Sequence, residues 1–156
     1  MAKRHPSLVP LSQDHHHGLA LALRLRQGSN ALLNDGWTHD RNEQAKRVKQ
    51  FYEKELRRHF QAEEEVVFPE MLKHIPVSSV VIGELITQHR DMEQLIAEIE
   101  RANSHVLEKA LVAFGELLDK HIRLEERDLF EMCQAEFPSG LLDELGRRVA
   151  QIHDQG

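Results

Sequence analysis

Apolar side chains return every three or four positions along nearly the whole chain, as at Leu85, Met92, Ile96 and Ile99. That spacing keeps them on one face of an α-helix, and the alternation expected of a strand is missing. Breaks in the pattern divide the chain into five helical stretches. Ser12 caps the first, which runs to about Leu33 and ends at Asn34-Asp35-Gly36. The second starts near His39 and Asp40 and reaches His74, with Pro69 placed to bend it. After the break at 74–77, Ser78 or Ser79 caps a third helix to about Ala102. Asn103-Ser104 opens a fourth that reaches Glu136, and the segment 137–140 separates a short fifth, LLDELGRRVAQIH. Four long helices with short connections predict an all-α fold, an antiparallel up-and-down four-helix bundle with a short extra C-terminal helix.

Composition changes this picture little. The 156 residues, 40% hydrophobic and 29% charged, suit one domain over 1–156, with a core about 7–135. A net charge of −6 offers no basic footprint for nucleic acid. No apolar run approaches the ~18 residues of a membrane span, and no apolar stretch follows the basic start, so the expected location is cytoplasmic. A single cysteine, Cys133, excludes an intramolecular disulfide framework and reads as a buried filler. The anomaly is histidine: 11 of them, against one tryptophan and one tyrosine, make metal ligation the first question.

Two segments resemble one another. HFQAEEEVVF from His59 and HIRLEERDLF from His121 align without a gap, pairing His59 with His121, Glu63 with Glu125, Glu64 with Glu126 and Phe68 with Phe130. Residues four apart share a helix face, so each segment presents an imidazole and a carboxylate to one side. Those faces are otherwise apolar. Tyr52, Leu56 and Val67 flank the first pair, and Phe114, Leu118 and Leu129 flank the second. Burying such a pair is costly unless something compensates it.

Height along the helices adds a coincidence. His59 follows Gly36 by 23 residues and His15 precedes it by 21. About Pro76, His59 lies 17 before and His89 13 after; about Asn103, His89 lies 14 before and His121 18 after. With antiparallel helices rising about 1.5 Å per residue, all four fall within roughly 6 Å of one level. His89 is seven from Ile82 and from Ile96, on the core face. The first helix carries three consecutive histidines, of which one can point inward: His15 is favoured, His16 second, His17 last. Histidines 5, 39, 74, 105 and 153 fall near breaks and are expected to be exposed, as are Glu64, Glu65 and Glu126, although bonds from the carboxylates to the ligand imidazoles are the alternative. Trp37 is expected to cover one end of the bundle.

These residues resemble the hemerythrin-like family, in its bacterial branch named for a His–His–Glu cation-binding motif. The pattern, a histidine followed by His-x-x-x-Glu and then repeated, reads here as His15, HFQAE, His89 and HIRLE, and the resemblance spans roughly residues 7 to 132. It implies a non-haem centre of two iron ions per chain, bridged by Glu63 and Glu125 and held terminally by His15, His59, His89 and His121. One departure is visible. The oxygen carriers of the family use a fifth histidine four from the third-helix one, and Leu85 and Glu93 occupy those positions here. Water or a carboxylate such as Glu93 would replace it, which argues against reversible oxygen carriage.

Donor chemistry points the same way. Imidazoles and carboxylates without thiolate disfavour a structural zinc site, and hard bridging oxygens suit iron, with manganese or zinc as substitutes. No histidine has a glutamate three before it, as the ferritin-like pattern requires, and no HExxH, GxGxxG or P-loop occurs. The expected function is binding or reaction of a diatomic gas, oxygen or nitric oxide, for sensing, storage or scavenging, with any protein partner unidentified. The alternative is a redox or iron–sulfur cluster repair role at the same site. A bundle without metal, serving interaction alone, is the reading left if the coincidence of level fails.

Overall fold

The structure, a computed structural model, describes residues 3–27 and 37–154. Among these every regular element is helical. A 3₁₀ turn at Pro6–Leu8 leads into α1, Val9–Gln27. Helix α2 spans 41–74, α3 is Ser79–Arg101, α4 spans 104–136 and α5 is Ser139–His153. No helix among the described residues is long and apolar enough to cross a membrane.

The helix starts follow local chemistry, with two departures from the sequence reading. Asp40 caps α2 by accepting from the Asn42 N–H at 2.9 Å, and Asn103 caps α4 by accepting from the amides of His105 and Val106. Ser12, in contrast, lies inside α1. The chain turns earlier because Pro6 presets the first turn and His5 Nδ1 accepts from the Ser7 amide. Ser78 makes no cap bond either, since the turn Pro76–Ser78 feeds straight into α3 with Ser78 already helical at φ −67° and ψ −10°. The expected stop at Asn34-Asp35-Gly36 lies outside the described residues. Helix α2 continues through Pro69, which sits just after a widened π turn at Glu63–Val67. A turn already opened to i→i+5 bonding is where a missing N–H is most easily accommodated.

Helix α4 packs along α1 and along α3, α2 packs on both α3 and α4, and α5 lies across the middle of α2 and the Pro6–Leu8 turn. The apolar interior is in two parts. One gathers Leu11, Val67, Phe68, Leu85, Leu129 and Phe130 with Leu145 and Val149 of α5. The other gathers Ala22, Phe60, Met92, Phe114, Leu118 and Ile122, and it includes Trp37, which lies between the guanidinium groups of Arg24 and Arg47 at 5.6 and 5.3 Å. Each of the four long helices crosses from one part to the other through a short stretch of buried polar residues. On α1 His15 lies between Leu11 and Ala22, and on α3 His89 lies between Leu85 and Met92. A polar plate therefore divides the core.

Helices α1 and α4 approach closely at Gly115. A Cβ on Gly115 would stand 2.9 Å from the Ala22 carbonyl oxygen and 3.0 Å from Leu25 Cβ, so backbone must move to admit it. Gly115→Ala is expected to cost about 1–3 kcal/mol, the usual range for overpacking, and a thermal melt should fall by several degrees; an unchanged melt would mean that the helices are not this close.

Candidate metal centre

Six buried side chains from four helices meet in the plate: His15 of α1, His59 and Glu63 of α2, His89 of α3, and His121 and Glu125 of α4. They form two overlapping groups, His15–His59–Glu63–Glu125 and Glu63–His89–His121–Glu125, each with its donor atoms within 4.8 Å of one another. Both glutamates belong to both groups. His16 and His17 are exposed, and His17 bonds Glu55 at the surface. Glu93 accepts from the Tyr52 hydroxyl and from Arg90, so it is engaged away from the centre.

The backbone explains how the two repeats present their carboxylates. Glu63 and Glu125 each open a π turn, Glu63–Val67 and Glu125–Phe130. The Phe68 amide bonds the Glu63 carbonyl five residues back. Five-residue spacing keeps Glu63 and Phe68 on one side of α2, as it does Glu125 and Phe130 on α4. The two phenylalanines then stack on the lone histidines of other helices, Phe68 on His89 at 5.7 Å and Phe130 on His15 at 5.5 Å. Phe60 also stacks on His89, with ring centroids 3.8 Å apart.

Every one of the four imidazoles is held from behind. His59 Nδ1 bonds Asp14 at 3.0 Å, His89 Nδ1 bonds Glu64 at 2.6 Å, His121 Nδ1 bonds Gln88 Oε1 at 2.8 Å and His15 Nδ1 bonds Glu126 at 2.5 Å. The supports run in a closed circuit. Each sits beside a residue of the centre on its own helix but holds the histidine of the next: α1 to α2, α2 to α3, α3 to α4, α4 back to α1. All four supporting atoms can accept from Nδ1, which turns each Nε2 to the centre and leaves its lone pair available to a cation there. Outer groups fix the supports in turn. Ser12 and Arg4 donate to Glu126, Arg90 donates to Glu64, and His153 donates to Asp14.

Glu64 and Glu126 are therefore not the outward, solvated residues that helical periodicity suggested. Periodicity ranks faces on one helix and is blind to a neighbouring imidazole reached sideways. Asp14 and Gln88 escaped notice altogether, although each stands one residue before a histidine of the centre. His5 and His153 are half-buried rather than exposed, because one caps the Pro6–Leu8 turn and the other reaches Asp14. Tyr52, expected on the inward stripe, is only half-buried, with its hydroxyl turned to Glu93.

Inward-facing donors crowd one another. His15 Nε2 is 3.1 Å from His59 Nε2 and 3.0 Å from Glu125 Oε1; His89 Nε2 is 3.1 Å from Glu63 Oε1; His121 Nε2 is 3.4 Å from Glu125 Oε2. Glu63 Oε2, Glu125 Oε2 and His121 Nε2 are buried without a hydrogen-bond partner. Lone pairs converging at this distance repel unless a proton or a cation lies between them. Two donors at right angles on an ion about 2.1 Å away are about 3 Å apart, which is the spacing seen. The residues fit cations.

Titration behaviour carries the same strain. Burial, and then the facing Glu125 carboxylate, push Glu63 well above the usual carboxylate range. Burial would raise Glu125 too, but hydrogen bonds from Glu63 and the imidazoles of His121, His15 and His59 hold it well below. The two glutamates thus share one proton, which a cation would displace. Burial, helped by His121, pushes His89 down to about 2 and also lowers His121. For His59 burial is outweighed by Glu63 and Asp14, which hold it well above its ordinary value.

Residues 9–133 match the family model of the hemerythrin HHE cation binding domain. The chain belongs to the hemerythrin HHE family. No significant match was found among curated proteins or solved structures. This hemerythrin HHE domain is a cation-binding domain, and its buried His/Glu groups are suited to hold metal.

The supports should matter to cation binding nearly as much as the six inward residues. Glu64→Ala and Glu126→Ala are each expected to weaken cation affinity about 10–100-fold, measured by competition with a chelator. Glu65→Ala, exposed and one residue from Glu64, should leave affinity unchanged. Equal losses in all three would show that overall charge, not ring orientation, is at work.

Proposed function

We propose that this HHE domain holds two iron ions in an antiparallel four-helix bundle and binds or reacts with oxygen or nitric oxide there. Glu63 and Glu125 would be shared between the ions, with His15 and His59 completing one position and His89 and His121 the other. The observation that carries the reading is the overlap of the two donor groups in both glutamates and in nothing else. A single-ion site would give one group, and two independent sites would give no shared residue. Iron is favoured by the donor set, because four imidazoles and two carboxylates offer no thiolate and Cys133 lies apart in the apolar core, its thiol pushed up to about 12 by burial. Iron held by two of these imidazoles and the shared carboxylates would keep open positions and supply a redox couple for a diatomic molecule.

A small cavity supports the gas-binding part of the proposal. It lies beside His15, His59 and His121, offers about 10 Å³ to the centre of a water-sized molecule and is walled by Gly18, Phe51 and Leu118. That is room for roughly one such molecule. A Cβ on Gly18 would come 2.8 Å from Ile122 Cδ1 and 3.6 Å from Phe51 Cζ, two side chains that also line the cavity.

Metal analysis after anaerobic iron loading should saturate at two ions per chain, and saturation at one with zinc preferred would remove the bridged pair. Glu63→Ala or Glu125→Ala should lose metal and also cost a few kcal/mol of stability, through histidines left buried without a partner. Gly18→Ala should keep both ions yet weaken nitric oxide binding, because its methyl would narrow the cavity beside His15 and His59. Absorbance during nitric oxide and oxygen titration of the reduced iron form separates the roles: reversible saturation supports binding, and rapid irreversible oxidation supports the redox or repair role.

A further inference from the structure

Helix α5, Ser139–His153, lies beyond the residues 9–133 that match the family. It is nevertheless built into the fold. Leu142, Leu145 and Val149 are buried, and Arg148 reaches Glu70 of α2 at 3.1 Å. At Gly146 the helix touches the N-terminal turn so closely that a Cβ would stand 2.8 Å from Ser7 Cα. Its last residue then points back at the centre. His153 Nε2 donates to Asp14 Oδ2 at 2.8 Å, and the same oxygen accepts from His59 Nδ1 at 3.0 Å. Exposure falls along this chain from 24% at His153 to 15% at Asp14 and 2% at His59.

We propose that His153 is a positioning residue for the metal position held by His15 and His59, so that α5, added outside the family's own segment, tightens one of the two ions. The proposal rests on the two-ion reading above. Its physical basis is the carboxylate between two rings. Asp14 orients His59 only while its own torsion is held, and His153 is the group that holds it from the outer side. The other supports are fixed from elsewhere, Glu126 by Arg4 and Ser12 and Glu64 by Arg90, while Gln88 is neutral. Loss of His153 should therefore loosen one position and spare the other. An outer partner of a metal-bound imidazole typically contributes 10–100-fold in affinity, and one step further out the lower figure applies.

Release of ferrous iron to a chelator, under anaerobic conditions and with the full chain, tests this. From His153→Ala one ion should leave about tenfold faster and the second at the unmodified rate, and cobalt(II) bound in place of iron should show an altered visible spectrum for one equivalent. His153→Gln retains an N–H that can reach Asp14 and should restore both readouts. Arg148→Ala, which removes a different tether of α5, should leave release unchanged. The proposal is overturned if His153→Ala releases both ions at the unmodified rates, or if Arg148→Ala reproduces its effect, since helix loosening would then suffice. An unmodified chain that takes up a single ion refutes the two-ion reading instead; the present inference then survives only if His153→Ala still speeds release of that ion.

Discussion

Six acceptor groups aimed at one point inside an apolar core form the constraint on which the rest of the structure depends. Two buried carboxylates and four imidazole nitrogens cannot face one another at about 3 Å without protons or cations between them. Uncompensated, each buried carboxylate costs several kcal/mol even after relaxation. Two of them approach the 5–15 kcal/mol that separates a folded domain from its unfolded chain. The shared proton of Glu63 and Glu125 relieves part of that cost. Cations relieve it more fully, so folding and cation binding are linked in this domain.

The surrounding structure is arranged to keep that convergence from relaxing. Each imidazole is gripped at Nδ1 by a side chain from another helix, and each of those side chains lies next to a residue of the centre on its own helix. Rotation of one helix would therefore misplace both an inward donor and a neighbour's support. The apolar halves above and below the plate add shape to this hydrogen-bonded circuit, with Phe68 and Phe130 stacked on His89 and His15. Approximate two-fold symmetry runs through the whole. Glu63, Glu64 and Phe68 on α2 do for His89 what Glu125, Glu126 and Phe130 on α4 do for His15. The symmetry fails where Asp14 is matched by neutral Gln88, and where a C-terminal helix braces only the first of these.

Much of the fold was legible because it is written in local terms. A 3.6-residue apolar rhythm and helix breaks at Pro76, Asn103 and Pro138 mark five helices, and Asp40 and Asn103 cap where their short polar side chains suggest. The expected all-α character is present, and the level of the four histidines followed from counting residues about the turns. Ser12 and Ser78 were misread as caps for the same reason. A serine's capping tendency is weak beside a proline that has already set the preceding turn.

The sequence by itself determined which residue types would be buried together: two His-x-x-x-Glu segments on apolar faces, with lone histidines on two other helices at matching height. Helix geometry is periodic, and the pattern is strong enough to read without coordinates. Only the tertiary structure decided what supports them. Asp14, Glu64, Gln88 and Glu126 act across helices, and His153 acts from more than 130 positions away along the chain. No rhythm on a single helix encodes which neighbour a side chain will meet. The widened turns at Glu63 and Glu125 were likewise invisible, since a π turn shifts the register that a fixed period assumes. Local rules place donors on a face; contacts between helices choose the rotamer, the tautomer and the partner.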